Sequence, residues 1–307
     1  MSKSRLTAYL YLTIAFIIWA FAVPIIKYVL GVVDPFTFLT YRFGISAVFA
    51  LLYFGIKKFR FFKNLKNLGL LLLHGVITST ITLGLLFIAL DNTTVVDYSI
   101  INMVSPLIIS VMGVWFLNEH VTNKEKKGMF IALLGTALIT FGPLIFYGTD
   151  GPVLSGNLLL FAYLFSNAFS IIITKKLLKL GHQPMDITNF MFIVGFITML
   201  PLLMFFGNIK DSISLVSELS LPFQLGIFYM ALLSGIVAYW LNSKGQKTIE
   251  AGEASVFNYL YPLIELPIAV IWLGEKITIL FVVGGIITLL GVFIAEVKKP
   301  SLAKSKR

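Results

Sequence analysis

The chain has 307 residues, of which 58% are hydrophobic and only 12% charged, and it carries a formal charge of +10 with no cysteine. A soluble domain averages about 25% charged residues, so the composition excludes an ordinary globular protein, and the missing cysteines exclude disulfides and thiolate metal sites. The positive charge does not call for nucleic acid, because the basic residues fall in short loops between apolar runs, where membrane lipids and the topology machinery are their partners.

Ten apolar stretches, in chain order, are expected to be membrane-spanning helices: residues 7–29, 35–56, 68–90, 94–116, 127–146, 154–176, 184–206, 223–243, 253–273 and 277–297. Each approaches the length of about 20 residues that crosses about 30 Å of hydrocarbon. The first follows Lys3 and Arg5, is too long for a signal-peptide core and lacks a small-residue cleavage site. The breaks fall at Asp34-Pro35, Lys57 to Lys66, Asp91-Asn92, Asn123 to Lys127, Gly148 to Gly151, Gly181 to Pro184, Lys210 to Glu218 and Gly274-Glu275. If the N-terminus is inside, 20 of the 24 Lys and Arg residues lie on the cytoplasmic side. Lys27, Lys210 and Lys276 lie outside, and Arg42 sits within the second span. That asymmetry places both termini in the cytoplasm of a cell-membrane protein.

One block occurs twice. Shifted by 156 positions, Ser99 meets Ser255, Asn102 meets Asn258, Pro106 meets Pro262, Glu119 meets Glu275, Thr122 meets Thr278, Gly128 meets Gly284 and Gly135 meets Gly291. Spans 1 and 2 match spans 6 and 7 more weakly at an offset of 149, pairing Lys27 with Lys176 and Pro35 with Pro184. The expected organisation is therefore two five-helix units, 1–148 and 149–307. Five is odd, so the second unit enters the membrane from the opposite side. Inverted repeats of this kind are the architecture of secondary transporters, whose site lies where the halves meet.

Charged and polar residues within spans are the candidate site residues. Arg42 and Glu265 are the clearest charges, at similar estimated depths, and either clamp a substrate or form a structural ion pair. Asn258, Tyr261 and Glu265 share one helix face, Ser99, Asn102 and Pro106 form a second stripe, and Asn167, Ser170 and Thr174 a third. Tyr239 with Asn242 adds a fourth, and Trp19 either stacks on substrate or packs. Pro106 and Pro262 are candidate hinges, because a proline frees a carbonyl one turn earlier, although a packing kink has the same signature. Glu119 and Glu275 read as turn residues, each followed by a Thr placed to cap the next helix, and the paired glycines read as close helix contacts. His74 reads as a satisfied polar residue. The sequence holds no HExxH, no GxSxG, no phosphate loop and no metal-ligand cluster, so no enzyme, cofactor or metal is expected.

The stretch Trp19 to Lys27, the "FTFLTYRF" segment ending at Arg42 and Phe43, and the blocks Pro106 to Glu119 and Pro262 to Glu275 resemble the EamA-type family of the drug/metabolite transporter superfamily, over the whole chain. At the counterparts of Trp19 and Arg42 the second half carries Ala168 and Met191. The resemblance implies ten helices in two pseudo-symmetric halves that move small organic solutes by alternating access. The expected activity is export of amino acids or related metabolites, with Arg42 and Glu265 bracketing a zwitterion. The alternative is uptake of choline or another quaternary ammonium compound, with Glu265 and the aromatic residues as a cation–π box. Protons are the candidate coupling ion, and a monomer or a homodimer is expected.

Overall fold

The computed structural model describes residues 3–58, 67–117, 123–147 and 152–296. Each of the ten stretches is helical there: α1 (Lys3–Leu30), α2 (Pro35–Ile56), α3 (Leu68–Asn92), α4 (Val95–Phe116), α5 (Asn123–Tyr147), α6 (Pro152–Lys179), α7 (Pro184–Phe206), α8 (Leu221–Gln246), α9 (Ala251–Ile271) and α10 (Ile279–Glu296). A short helix, Ile209–Glu218, connects α7 to α8. Eight of these, α1–α4 and α6–α9, are long and apolar enough to cross a membrane. The α5 helix, 25 residues long, and α10, with its shorter apolar stretch Ile279–Ile294, stand in the places of the fifth and tenth spans. The chain is an all-α polytopic membrane protein. Its surface agrees: Ile56, Phe205 and Ile271 are more than 80% exposed, while Arg42, Glu265, Ser46, Ser99 and Asn157 are at most 1% exposed. Apolar residues outside and polar ones inside is the distribution hydrocarbon selects.

Helix ends follow local chemistry. Asp34 Oδ1 accepts from the Phe36 and Thr37 amides at 3.0 Å, and Pro35 supplies the fixed φ of a first helical residue. At α9 the chain turns through Gly274 at φ +67°, a conformation that costs glycine little. Both carboxylate oxygens of Glu275 then accept the Val95 and Val96 amides at 2.9 Å, capping the N-terminus of α4. Thr278 Oγ1 accepts the Phe281 amide at 3.1 Å and starts α10 as expected. Two lysines close helix C-termini: Lys27 donates to the Leu90 and Asp91 carbonyls at the end of α3, and Lys175 to the Gln246 and Ile249 carbonyls at the end of α8. Contact thus pairs Lys27 with Lys175. Lys176, the residue that the offset of 149 matches to Lys27, is exposed. Glu119, Thr122, Arg60, Lys63, Lys66 and the basic C-terminal residues lie outside the described residues.

The interiors of four helices depart from α geometry, in two matched pairs. π-helical turns occupy Val76–Thr82 of α3 and Tyr229–Val237 of α8. Short 3₁₀ segments occupy Asn102–Val104 of α4 and Val256–Leu260 of α9. Pro106 and Pro262 are each the second residue of the α-helical segment that follows, so the helix tightens where the proline cannot donate. The two 3₁₀ segments pack on each other, which places the α4–α9 crossing there.

Outside this group, α5 and α10 pack through their glycines. A Cβ on Gly291 would strike the Ala132 amide and come within 2.6 Å of the Gly128 carbonyl, and one on Gly135 would lie 2.5 Å from the Gly284 carbonyl. The backbones touch, as the paired glycines imply. Gly285, on the same helix, offers a contrast: a Cβ there meets only Ile100 side-chain atoms, at 3.6 Å or more.

Gly291→Ala is therefore expected to lower the melting temperature in detergent, by about 1–3 kcal/mol of overpacking, whereas Gly285→Ala leaves it unchanged or raised by the better helix propensity. Glu275→Ala, which removes both acceptors from the start of α4, is expected to cost about 0.5–2 kcal/mol, and Glu275→Gln less, in the same melting assay.

Candidate functional site

A cavity of about 90 Å³ lies inside the ring formed by α1–α4 and α6–α9; α5 and α10 contribute nothing to its wall. At about 10–15 Å³ per water this is room for several waters. One end is lined by apolar Ala22, Val23, Ile26, Leu83 and Leu86, and the other reaches Gln246 and Ala251, where α8 ends and α9 begins.

The wall is built from polar side chains that the irregular helices orient. In α3, the hydroxyls of the π segment bond sideways to α6 and α7. Thr78 pairs with Ser170 at 2.6 Å, Thr82 with Ser166 at 2.6 Å and Thr80 with Thr198 at 2.5 Å, while Ser79 donates to the Met191 carbonyl at 2.9 Å. His74 Nε2 pairs with Thr174 Oγ1 at 2.8 Å, the satisfied histidine expected, although it also faces the cavity. In α8, the π segment leaves carbonyls for other helices: Trp19 Nε1 donates to Ser234 O at 2.9 Å and Ser46 Oγ to Ala231 O at 3.0 Å. Trp19 is fixed further by edge contacts to Phe16 and Tyr239, with ring centroids 5.4 and 5.0 Å away.

The candidate residues divide. Trp19, Arg42, Asn167, Tyr239, Asn258 and Tyr261 line the cavity; Asn102, Pro106, Pro262 and Glu265 do not. Asn102 is buried in the 3₁₀ turn of α4, Pro106 is buried, and Pro262 faces a separate apolar groove with Ile100, Met103 and Leu266. Arg42 and Glu265 do not meet: among the described residues the ion pairs are Arg5–Glu253 at 2.5 Å and Lys57–Asp186 at 4.0 Å. Sequence depth fixes height along the helix but not direction around the bundle. The α2 helix packs on α3, α7 and α8, whereas α9 packs on α1 and α4.

Arg42 is 1% exposed, and its Nε and Nη1 have no hydrogen-bond partner. Its guanidinium carbon lies 5.7 Å from the ring centroids of both Phe43 and Phe87. Among the described residues no Asp or Glu lines the cavity, so its fixed formal charge is positive. No group of three His, Asp or Glu residues among them converges as a metal ion would require. Sequence reasoning missed Tyr98, Tyr163 and Gln246. Tyr163 had a usable signal: it stands four residues before Asn167, extending the stripe Asn167, Ser170, Thr174 by one turn of α6.

Known proteins resemble this chain along most of its length. The EamA-like transporter family matches the chain twice, over residues 6–141 and 154–296. A Bacillus subtilis (strain 168) protein named "Uncharacterized transporter YyaM" is 25% identical over 274 residues, covering 88% of this chain and 87% of its own. An Archaeoglobus fulgidus "Uncharacterized transporter" is 26% identical over 297 residues, covering 95% and 98%. A solved crystal structure, 14% identical, superposes with a TM-score of 0.64 over 94% of this chain and 96% of that one, which speaks for the fold alone. The double family match, along nearly the whole of a multi-pass helical chain with a polar central cavity, settles the assignment: the protein belongs to the EamA-like transporter family.

Proposed function

We propose that the protein carries a small carboxylate-bearing organic solute, with amino acids and related metabolites the leading class, across the cell membrane by alternating access and in the outward direction. In this reading residues 1–148 and 149–307 are two inverted five-helix units, Pro106 and Pro262 are hinges at their crossing, and no bond chemistry is involved. The observation that carries the substrate class is Arg42: a buried guanidinium facing the cavity with Nε and Nη1 unpartnered. A carboxylate fits that planar donor set. Asn167, Asn258, Tyr239 and Tyr261 supply neutral hydrogen-bonding groups around it, and Trp19 an aromatic wall. The quaternary ammonium alternative has aromatic rings to draw on but meets a charge of the wrong sign in the wall.

A buried charge without a partner costs stability, and binding sites commonly carry such a cost. Arg42→Gln is thus expected to raise the melting temperature of ligand-free protein while abolishing the stabilisation that amino acids confer on the wild type. The lost charge-assisted hydrogen bonds correspond to about 10–150-fold weaker binding. A thermal-shift panel of amino acids, choline and nucleosides measures both effects. Undiminished stabilisation of Arg42→Gln by the same amino acid, or stabilisation of the wild type by choline alone, overturns the reading. Cysteine labelling with an impermeant reagent tests orientation in this cysteine-free chain: Asp211→Cys, on the exposed short helix, should label in intact cells, and Lys179→Cys only after permeabilisation.

A further inference from the structure

Glu265 is the least expected group in the bundle. It is 0% exposed, lies off the cavity wall, and no ion pair reaches it among the described residues. Its Oε2 is 2.6 Å from Ser99 Oγ, and its Oε1 has no partner. Ser99 Oγ is also 2.9 Å from the Val95 carbonyl of its own helix. A hydroxyl has one proton. If Ser99 gives it to the Val95 carbonyl, which has no proton of its own, then the short contact to Glu265 needs a second proton, and Glu265 is the group able to carry it. Neutral Glu265 also removes the penalty of an unpaired carboxylate in a dry site.

The groups around it are arranged asymmetrically. Tyr261 stands one turn before Glu265 on α9, Tyr98 directly precedes its partner Ser99 on α4, and both line the cavity together with Tyr163 of α6. Tyr98 and Tyr163 stand ring to ring at 6.1 Å. Buried or paired charges on its own and neighbouring helices are engaged elsewhere: Asp97 of α4 accepts from Asn157, Lys27 of α1 donates to the Leu90 and Asp91 carbonyls, Lys175 of α6 donates to the Gln246 and Ile249 carbonyls, and Arg5 of α1 pairs with Glu253 of α9. The carboxyl and its Ser99 partner are thus joined along α9 and α4 to tyrosines of the cavity wall. The repeat shows that packing does not require a carboxyl here. Moved by 156 positions, Glu265 falls on Ile109, which is also 0% exposed.

We propose that Glu265 is the proton-carrying site of the transporter: it rests protonated against Ser99 and exchanges its proton with cavity water across the Tyr98–Tyr163–Tyr261 boundary. The Oε2–H bond breaks, the proton passes to water at that boundary, and the electron pair stays on the carboxylate. Reprotonation from the opposite aqueous phase completes the cycle. The coupling half of this proposal rests on the alternating-access reading above; the protonation half does not.

Two measurements separate them. Infrared spectra of purified protein without solute at neutral pH should show the carbonyl band of a protonated carboxylic acid that shifts in D₂O, is absent from Glu265→Gln, and moves to higher frequency in Ser99→Ala. Spectra of wild type and Glu265→Gln that match in this region overturn the proposal. In proteoliposomes with radiolabelled leucine, threonine or phenylalanine, Glu265→Gln should retain exchange between the two sides and lose accumulation driven by a pH gradient. Accumulation equal to wild type overturns the proposal, as does loss of amino-acid stabilisation in Glu265→Gln, which would make Glu265 a ligand for the ammonium group. If none of the three amino acids moves in wild type, the substrate reading fails, and the infrared band still decides the state of Glu265.

Discussion

In hydrocarbon, every backbone N–H and C=O has to find its partner inside the protein. Regular α-helices meet this demand everywhere except at their ends and at interruptions, and the conspicuous polar contacts of this protein fall at those places. Lys27 and Lys175 reach across the bundle to carbonyls at or just beyond the ends of α3 and α8, and Glu275 returns from the far end of α9 to the first amides of α4. Each of these side chains ties two helices that are distant in sequence. The requirement to satisfy a helix end therefore also fixes which helices are neighbours.

The same demand explains why the cavity is where it is. A π turn widens a helix and frees carbonyls, and a proline removes a donor. Both are tolerated when other side chains restore the lost bonds. The Trp19 indole and the Ser46 hydroxyl do this for α8, and the hydroxyls of α3 bond sideways to α6 and α7. The polar groups so gathered face one another at the centre, while α5 and α10, which hold together by glycine contact, stay outside. Against that background Arg42 and Glu265 are distinct in kind. They are buried, incompletely satisfied, and not paired with each other, so packing alone gives no reason for their presence.

How much of this was legible beforehand depended on what one dimension records. Hydropathy period marks the spans, and the duplicated Pro-to-Glu block marks the α4–α9 pair, because both are patterns along the chain. The glycines of α5 and α10 were readable for the same reason. Direction around a helix bundle is not written along the chain, so Arg42 and Glu265, estimated at similar depths, seemed able to meet and do not. The π segments left no sequence sign, since they arise from how α3 and α8 are held by neighbours. The cap made by Glu275 was visible only as a turn, because its receiving amides lie about 180 residues away in sequence.

The matched irregular segments also carry information about descent. A π turn is rare and unfavourable on its own, yet one occurs in α3 and one in α8, and a 3₁₀ step occurs in both α4 and α9. If the two stretches that match one family model, 6–141 and 154–296, arose by duplication, a single origin before the copying event accounts for each pair more simply than two independent ones. The ancestral five-helix unit would then already have possessed the widened turn and the tightened turn, and two copies associating head to tail would have enclosed a polar chamber before any gene was doubled. Arg42 and Glu265 have no such twin, since Met191 and Ile109 hold the corresponding places. A symmetric ancestor has to carry any charge twice, whereas a fused one is free to carry it once. On that account, fusion is what would let the chamber carry a single charged group on one side only.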